Sequence, residues 1–595
     1  MVNHSSGAGG ADPDFVTVRP LGAGADDSAH LSSAWVANAG LRTVWMAPGP
    51  SGEPFVIKTI PTLPSNLTLC HFPGVVYLQE FESNPGGFIC TFRAVNSFGA
   101  FATTIAAASY VGSPVVRMND APAVGMTLQI GNQAPARLQK SLPYVVLEVS
   151  GSGPYDVTLD RSMLMDLVVD DEVVQQVDRP TNIRIYGNGS KMTGNGTCFL
   201  QIAGGSDCYV ADLDCDATGF FEGSSIGLIY DTSSLNCTFE NIRIVGAAQG
   251  LRFAAAENCR MVRCEAGNQS VQGIALTDCY SCEIDGCTQY GSLEGIHLDS
   301  DGQPGGCFGV KIHGGNYSDN AQYSIHILGN SNFIQIDDVT IQRGGLAGIA
   351  TSAGAGTPFN IAISNVSITN TTVGIFATVP GIAVSNYNGR GNVVADIVYL
   401  ERIVLNNVDI IQTVRQSAAI YGQSAGVCHA SNVHIVDDAP MNTCLRTDGT
   451  SELRMVNCAL IINGVDSTGA ALLDNSTMTL SGLSVGGGAA SSATAINNGQ
   501  SAATTLRCTN VDIDAAGVRI VAGGFVNIGT VAATGAQPVF VPWPRLKTTD
   551  RVILTLRALS GIAAGTNPQV TLTPGVGFSI TSVVNDASSY DYVIY

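Results

Sequence analysis

The sequence lacks any long apolar run and carries little charge. It has no stretch of about 18 consecutive apolar residues, so it predicts no membrane insertion. The first residues, MVNHSSGAGGADPDF, contain neither a basic nor an apolar segment, which predicts that no secretory signal is present. Charged residues make up only 13% of the chain, with 28 basic against 48 acidic. The net charge of −20 disfavours nucleic acid as a partner, because phosphates would be repelled, whereas neutral or acidic carbohydrates remain open.

What the sequence does contain is a repeat between Asn236 and Gly381. Each segment has a short β-branched run, a polar turn rich in Gly and Asn, and then a small residue followed by Leu or Ile. By subtraction of residue numbers, the recurring aliphatic residues are 23, 22, 29, 24 and 26 residues apart: Leu251, Ile274, Ile296, Ile325, Ile349 and Ile375. A period in the twenties with strand composition predicts a right-handed parallel β-helix, in which each coil buries its apolar side against its neighbours.

The 16 cysteines could form disulfides, bind zinc or remain as buried thiols. The spacing of Cys279, Cys282 and Cys287 is compatible with metal ligands. In the repeat, however, Cys237, Cys259 and Cys282 occupy one position of successive coils. This alignment favours a ladder of buried free thiols, which behave as small hydrophobic groups. We therefore expect no metal and no other cofactor, and we expect synthesis in a reducing cytoplasm.

Residues 14–50 show a different pattern, in which a strand and a glycine turn precede a short helix. Asp26, Asp27 and Ser28 suit the start of that helix, because their side chains can accept hydrogen bonds from its free N–H groups. The apolar residues expected along this helix are Ala29, Leu31, Trp35 and Val36.

This N-terminal block resembles the opening of the pectate-lyase-like tailspikes and capsule depolymerases of tailed bacteriophages. It keeps Gly22-Ala23, Asp26-Asp27, the Ala-rich helix and Ala47-Pro48-Gly49, and it departs from the family pattern at Pro20-Leu21. The resemblance concerns architecture over about 14–530 and carries no catalytic signature. It implies an all-β fold: a single-stranded right-handed parallel β-helix with a short N-terminal capping helix, a C-terminal β-sandwich-like domain and a homotrimeric state.

The same resemblance implies a place in the virion. A protein of this kind would be made in the host bacterial cytoplasm and joined to the phage tail, to its baseplate or to an adaptor protein. Its expected partner is a bacterial surface polysaccharide, either capsule or O-antigen.

Composition shifts divide the chain into five expected parts. These are a flexible leader at 1–13, an N-terminal cap with the first coils at 14–110, a small β insertion at 111–180, a β-helix body with a polysaccharide-binding face at 181–533, and a C-terminal β-sandwich domain for trimerisation or capping at 534–595. An open solenoid end exposes unpaired strand edges and needs such a cap. A carbohydrate-binding module is the alternative for the last part.

Outward-pointing residues on one face of the body form the candidate site. Because side chains alternate along a strand, inward Ile296 and Leu298 leave His297 and Asp299 outside. Polar residues gather at matching positions of neighbouring coils: Gln249, Arg252, Gln272, Asp278, Glu294, Tyr323 and His326. Carboxylates in neighbouring coils lie roughly 5–10 Å apart, which covers both retaining and inverting glycosidase geometries.

We predict Glu294 and Asp299 as the catalytic pair, with Asp301 as the alternative partner. Hydrolysis needs one carboxylic acid to protonate the leaving oxygen and one carboxylate to attack or to activate water. We expect the clustered acids to raise the pKa of one of them. His297 and His326 would orient or bind the substrate, and Tyr323 could stack on a sugar ring. The remaining expected substrate contacts are Gln249, Gln272, Arg252 and Asp278.

Other acidic groups compete with this site, since outward acids on a solenoid are usually only solvated. They are Asp212, Asp214 and Asp216, which could also hold a hard cation, Asp337 with Asp338, and Asp437 with Asp438. A site shared between two chains of a trimer also stays open.

The predicted function is binding and hydrolytic depolymerisation of a bacterial surface polysaccharide by a phage tailspike. Successive sugars of a polymer can meet successive coils of a solenoid. The alternatives are a polysaccharide lyase on the same fold, a non-catalytic host-attachment adhesin and a cellular polysaccharide-degrading enzyme. Few basic residues lie near the face, which counts against a lyase.

Overall fold

A computed structural model describes most of the chain. The described residues are 15–81, 90–110, 112–131, 143–163, 167–220, 225–231, 233–300, 306–354, 356–464, 467–472, 476–486, 494–498, 505–509, 512–514, 519–521, 527–532, 539–542, 552–558, 569–573, 577–581 and 589–594. The chain divides into two compact units, which are Met1–Gly315 with Gly329–Ser331, and Asn316–Leu328 with Asn332–Tyr595. No helix in the described part has the length and apolar character needed to cross a membrane.

The first unit begins with a helix and short strands that enter the first coils. The helix α1 spans Ser28–Asn38, and the strands are β1 (Phe15–Val18), β2 (Thr43–Met46), β3 (Phe55–Ile57), β4 (Thr68–His71) and β5 (Val76–Gln79). The N-terminal helix that the sequence predicts is therefore confirmed. Its buried apolar side is formed by Leu31 and Trp35, whereas Val36 is exposed.

The two aspartates before the helix have different partners. Asp26 Oδ1 accepts a hydrogen bond from the backbone N–H of Ser28 at 3.0 Å. Asp27 makes no side-chain hydrogen bond to the helix, which corrects the expectation that it caps the free N–H groups. Its buried carboxylate instead accepts from the N–H groups of Leu21 at 2.7 Å and Val56 at 2.9 Å. Asp27 thus joins the preceding turn to β3.

Six strands of the first unit form a closed antiparallel barrel inserted between two solenoid strands. They pair in the order β10-β11-β8-β7-β12-β9. Their bounds are β7 (Ser97–Ala107), β8 (Val115–Met118), β9 (Thr127–Gly131), β10 (Pro143–Ser150), β11 (Tyr155–Leu159) and β12 (Glu172–Val177). The barrel core is apolar and includes Ile105, Leu128, Tyr144, Val157 and Val173.

The rest of the first unit is a parallel β-solenoid, as the repeat predicts. One face consists of β6 (Cys90–Val95), β14 (Cys198–Ala203), β16 (Ile226–Asp231), β19 (Gln249–Ala254), β22 (Gln272–Thr277) and β25 (Glu294–Asp299). We call this sheet the site face. The other coil strands are β13 (Arg184–Gly194), β15 (Tyr209–Ala217), β17 (Thr238–Glu240), β18 (Arg243–Gly246), β20 (Arg260–Val262), β21 (Glu265–Gly267), β23 (Glu283–Asp285), β24 (Thr288–Tyr290) and β26 (Lys311–His313).

The second unit is also a parallel β-solenoid. One set of its strands comprises β28 (Tyr323–Ile327), β31 (Ala347–Thr351), β33 (Val373–Ala377), β35 (Ala395–Tyr399), β37 (Ala418–Gly422), β39 (Thr443–Thr447), β41 (Thr468–Leu472), β43 (Thr494–Asn498) and β46 (Arg519–Val521). The other set comprises β27 (Asn316–Ser318), β29 (Asn332–Asp337), β30 (Thr340–Gln342), β32 (Phe359–Thr369), β34 (Ile382–Arg390), β36 (Ile403–Gln412), β38 (Val427–Asp437), β40 (Glu452–Ile462), β42 (Thr477–Gly486), β44 (Thr505–Thr509) and β45 (Asp512–Asp514).

The chain ends in two antiparallel three-stranded sheets, ordered β47-β52-β49 and β48-β51-β50. The strands are β47 (Asn527–Ala532), β48 (Val539–Pro542), β49 (Val552–Ala558), β50 (Gln569–Thr573), β51 (Gly577–Thr581) and β52 (Ser589–Ile594). The change from parallel to antiparallel pairing agrees with the sandwich-like C-terminal region that the sequence predicts.

The register of the coils follows the repeating aliphatic residues. In the first unit Leu251 pairs with Ile274, and Ile274 pairs with Ile296. In the second unit the same relation joins Ile325 to Ile349 and Ile349 to Ile375. All six side chains are buried. The repeat therefore fixes which side chains point into each coil and, by alternation, which point out.

Three successive coils of the first unit turn through a residue with positive φ and then bury a cysteine. Asn236, Asn258 and Ser281 have φ of 52°, 53° and 51°, and Cys237, Cys259 and Cys282 follow them. Asparagine is favoured at such turns because it tolerates the left-handed region. These thiols are free and buried, and the N–H of Cys237 donates to Cys259 Sγ at 3.4 Å. The predicted thiol ladder is confirmed.

Candidate functional site

The site face of the first unit aligns the polar residues that the sequence singles out. Gln249 pairs with Gln272, and Gln272 pairs with Glu294. Gln249 Nε2 donates a hydrogen bond to Gln272 Oε1, which joins two neighbouring coils. Gln272 and Glu294 are buried, with 9% and 8% of their surface exposed. This row is therefore a packed polar edge of the face and not a free surface.

A second row of the site face carries the ionisable groups. Arg252 pairs with Ala275, and Ala275 pairs with His297. The small Ala275 leaves a gap of two strand spacings between the guanidinium and the imidazole, which is about 10 Å along the face. At the end of the strand Thr277 pairs with Asp299. The side chain of Asp299 is 35% exposed, which makes it the accessible carboxylate of the predicted pair.

The imidazole of His297 lies between the two predicted catalytic carboxylates. Its Nδ1 is 2.5 Å from Glu294 Oε2, and its Nε2 is 3.4 Å from Asp299 Oδ2. The side chains of His297 and Glu294 are only 13% and 10% exposed. The two carboxylates therefore do not face each other across open space, because a histidine ring bridges them.

The proton of this cluster resides on the histidine. Burial alone would lower the pKa of His297, but its contacts with Asp299 and Glu294 outweigh that effect and raise the pKa from 6.5 to about 9. His297 is thus an imidazolium at neutral pH, where an ordinary histidine is mostly uncharged. The sequence predicts that an acid holds the extra proton, whereas this geometry stores a proton on the base between the acids.

Arg252 provides a second positive charge on the same row. Its Nη1 donates to Gln249 Oε1 at 3.4 Å. Burial lowers the pKa of Arg252, and the charges of Asp231 and Asp278 act in the opposite direction. The Nε of Arg252 is buried and makes no hydrogen bond to any described residue. A desolvated guanidinium with an unused donor is suited to hydrogen bonding with a ligand.

The barrel borders the end of the site face at which Asp231 and Asp278 lie. Its apolar core packs against Tyr280, which follows Asp278 by two residues. Gln129 of β9 donates through Nε2 to Ser233 Oγ, two residues after Asp231. Arg161 forms an ion pair with Glu257 in the next coil turn. The polar face therefore has a protein wall on one side.

Two predicted residues lie in the second unit. The rings of Tyr323 and His326 are 4.3 Å apart between centroids, with an interplanar angle of 46°. His326 is 7% exposed, and its Nε2 lies 3.1 Å from Ser352 Oγ. Tyr323 is half-buried, so it presents more surface than His326. Asp301, the alternative catalytic partner, lies outside the described residues.

Sequence reasoning missed Asp231, which ends its strand on the site face as Asp299 does. Gln201 Nε2 donates to Asp231 Oδ2 at 3.4 Å, and Arg93 Nε donates to Gln201 Oε1 at 3.1 Å. The signal was present, because Asp231 lies 23 residues before Ala254, a spacing equal to that between Leu251 and Ile274. Polar residues of the site face thus extend from β25 back to β6, although the buried Ile229 lies between Gln201 and Arg252.

The competing acids have structural partners. Asp214 forms an ion pair with Arg243 at 2.9 Å, and Asp212 accepts from Asn241 at 2.6 Å. Asp437 is fully buried and accepts from Asn442 at 2.8 Å. Asp396 is a further buried acid, and burial raises its pKa to about 7. It is 0% exposed, so no substrate in solution reaches it.

Comparison with known proteins finds solved structures in which the backbone follows a similar course. No family model matches the chain, and no curated protein does. Among solved structures, the tailspike protein gp49 from Pseudomonas phage LKA1 has 12% identity and a TM-score of 0.41, covering 96% of this chain and 92% of that one. The gp54 tailspike of Acinetobacter baumannii bacteriophage AP22, in complex with capsular saccharide, has 10% identity and a TM-score of 0.38, with coverage of 96% and 93%.

A third similar structure is the tailspike protein of E. coli bacteriophage HK620 in complex with a pentasaccharide. It has 11% identity and a TM-score of 0.45, and the coverage is 97% of this chain and 90% of that one. The structures to which the chain is similar are thus phage tailspikes. Similarity of this degree assigns no role to any residue of this chain.

Proposed function

We propose that the site face binds a bacterial surface polysaccharide and hydrolyses its glycosidic bonds, as a phage tailspike would. The observation that carries this proposal is the imidazolium of His297 held between Glu294 and Asp299. Glycoside hydrolysis needs a proton for the leaving oxygen and a carboxylate for water or the sugar. This cluster offers both at neutral pH.

Each group of the cluster has a distinct part in the proposed reaction. His297 passes its Nδ1 proton to Glu294, which lies 2.5 Å away, and Glu294 delivers it to the glycosidic oxygen as the C–O bond breaks. The more exposed Asp299 takes a proton from water, whose oxygen bonds to the anomeric carbon. Exchange with solvent then removes the proton from Asp299 and returns one to His297. Glu294 and Asp299 are the catalytic residues, and His297 positions them and stores the proton.

The surroundings of the cluster support a polymeric sugar as the substrate. Hydrogen-bonding groups continue along the face through Arg252, Gln249, Asp231 and Gln201. Strands follow one another at about 4.8 Å, so an extended chain of sugars could meet a new coil at each step. The barrel wall beside Asp278 would limit how such a chain lies on the face.

Glu294→Gln and Asp299→Asn test the catalytic assignment. Each variant removes one ionisable oxygen without changing side-chain size, so we expect kcat to fall by roughly 10²–10⁴. Glu283→Gln is the matched control, because Glu283 is a partly exposed acid on another sheet of the same coils. The measurement is the rate at which new reducing ends appear in a panel of purified capsular and O-antigen polysaccharides.

The outcomes separate the alternatives. Unchanged turnover in both Glu294→Gln and Asp299→Asn would exclude this cluster as the catalytic site. New chain ends with an unsaturated uronate absorbance would indicate a lyase, in which Arg252 would neutralise the uronate. Saturable binding to a polysaccharide that is never cleaved would indicate a non-catalytic adhesin.

A further inference from the structure

A cleft lies where the barrel joins the solenoid of the first unit. A cleft of about 410 Å³ opens there, lined by residues including Leu63, Pro64, Arg93, Val95, Asp178 and Pro180. This volume is in the range of pockets that hold small ligands. We propose that the cleft binds a carboxylate-bearing sugar unit, with Arg93 as the group that recognises the carboxylate. The inference deepens the polysaccharide-binding function proposed above and rests on it.

Arg93 is prepared to bind a planar anion. Its Nε donates to Gln201 Oε1 at 3.1 Å, which fixes the orientation of the guanidinium. No described acid forms an ion pair with it, although the chain has 48 acidic residues. Its side chain is half-buried, so the charge has lost part of its hydration. The terminal guanidinium nitrogens match a carboxylate in bidentate geometry, and such a contact would offset that loss.

The other lining groups suit the rest of a sugar ring. Pro64, Pro180 and Val95 offer apolar surface for C–H groups, and Val95 is 43% exposed. Asp178 Oδ2 accepts from Ser97 Oγ at 2.6 Å, which holds an acceptor in place for a sugar hydroxyl. Arg93 and Asp178 line the same cleft without forming an ion pair with each other. Because Arg93 and Asp178 do not neutralise each other, each can form a hydrogen bond with a different group of one ligand.

Buried polar atoms at this junction have no described partner. Gln176 is 5% exposed, and neither its Nε2 nor its Oε1 makes a hydrogen bond to a described residue. The same holds for Asn96 Nδ2, and both side chains lie against Gly204. Asn96 adjoins the cleft residue Val95, and Gln176 is two residues from Asp178. Unsatisfied buried donors and acceptors are costly, so this junction is a polar surrounding for the cleft beside it.

The cleft lies at the far end of the polar row that carries the catalytic cluster. Arg93 pairs with Gln201, and the same register continues through Ile229, Arg252 and Ala275 to His297, which adds four further strand steps. Five steps of 4.8 Å place the two sites about 24 Å apart. A single polysaccharide chain lying along the row could therefore occupy both, with an acidic unit anchored at Arg93.

The test measures binding of monosaccharides to the full chain by titration calorimetry or saturation-transfer NMR. The probes are D-glucuronate, D-glucose and inorganic phosphate. We expect glucuronate to bind at least tenfold more tightly than glucose, and we expect Arg93→Gln to weaken glucuronate binding at least tenfold. Arg42→Gln is the matched control, since Arg42 is exposed and outside the cleft. It should bind glucuronate as the unchanged protein does.

Arg93→Lys keeps the positive charge but loses the bidentate geometry of the guanidinium, so we expect an intermediate loss of glucuronate affinity. This variant replaces Arg93→Gln in the test if Arg93→Gln does not fold. Equal glucuronate affinity in all variants would overturn the proposal. Phosphate binding as tightly as glucuronate, with the same dependence on Arg93, would show a site for small anions and overturn the sugar assignment. These measurements need no turnover, so failure of the hydrolysis proposal would leave their result standing.

Discussion

At the scale of single residues, His297 decides the charge state of the site. A cluster of acids alone would hold its extra proton on a carboxylate. Here the imidazole between Glu294 and Asp299 holds it, since their contacts raise the pKa of His297 to about 9. The folded-state pKa exceeds the ordinary value of 6.5. The stabilisation of the folded protein by protonated His297 is therefore fully present below pH 6.5 and is lost as the pH rises through 9.

This charge state predicts a pH limit for activity. We expect kcat/KM to fall as the pH rises through about 9, because His297 then loses the proton that Glu294 delivers. His297→Asn should reduce turnover and remove this alkaline limb from the pH profile. His313→Asn is the control, because His313 is exposed on another strand. An alkaline limb that persists unchanged in His297→Asn would assign it to another group.

At the scale of elements, a coil depends on its turns as much as on its strands. Asn258 has φ of 53° and precedes the buried Cys259, so the turn directs the thiol inward. The Asn258 side chain is exposed and makes no described hydrogen bond. Its contribution is therefore mainly the tolerance of its backbone for the left-handed region.

Two substitutions separate this backbone effect from side-chain effects. Asn258→Ala should lower the free energy of unfolding by roughly 1 kcal/mol, because alanine is strained at positive φ. Asn258→Gly should cost less, because glycine adopts this region without strain. Ser270→Ala, at an exposed position without positive φ, is the control. The measurement is chemical denaturation, and equal losses for the alanine and glycine variants would contradict this account.

The coils could be predicted from local sequence patterns. The barrel and the pairing of Arg93 with Gln201 could not, because they depend on residues far apart in sequence. Leu251, Ile274 and Ile296 recur at one coil position, so their register could be deduced from spacing alone. The barrel depends on β7 pairing with β12, whose residues Ser97 and Val177 are 80 positions apart in sequence. The barrel also separates Arg93 from Gln201 in sequence, so their pairing on the site face could not be predicted from spacing.

The same limit applies to the candidate site. Alternation along β25 was enough to predict that His297 and Asp299 share the outer side of the strand. The side-chain conformation that places the imidazole against Glu294 depends on packing between coils, and spacing carries no information on it. The hydrogen bond from the Val56 N–H to Asp27 could not be predicted from spacing either, because the two residues are 29 positions apart.

At the scale of the whole molecule, cysteines are distributed along both solenoids as packing residues. Of the 15 described cysteines, all are free and 14 are buried, with Cys70 half-buried. Burial raises the pKa of thiols such as Cys215 and Cys264, which keeps them protonated and unreactive. The fold is therefore held by stacked coils and not by covalent links among these residues.

This distribution predicts the thiol chemistry of the native protein. With 16 cysteines in the chain and 14 of them buried, 16 − 14 leaves at most two thiols that react rapidly with Ellman's reagent at pH 8. All 16 should react once denaturant unfolds the coils, and Cys70→Ser should remove one rapid thiol. A reductant should leave the melting temperature unchanged, because the 15 described cysteines form no disulfide for it to break. More than two rapid thiols, or a lower melting temperature in reductant, would contradict the buried thiol ladder.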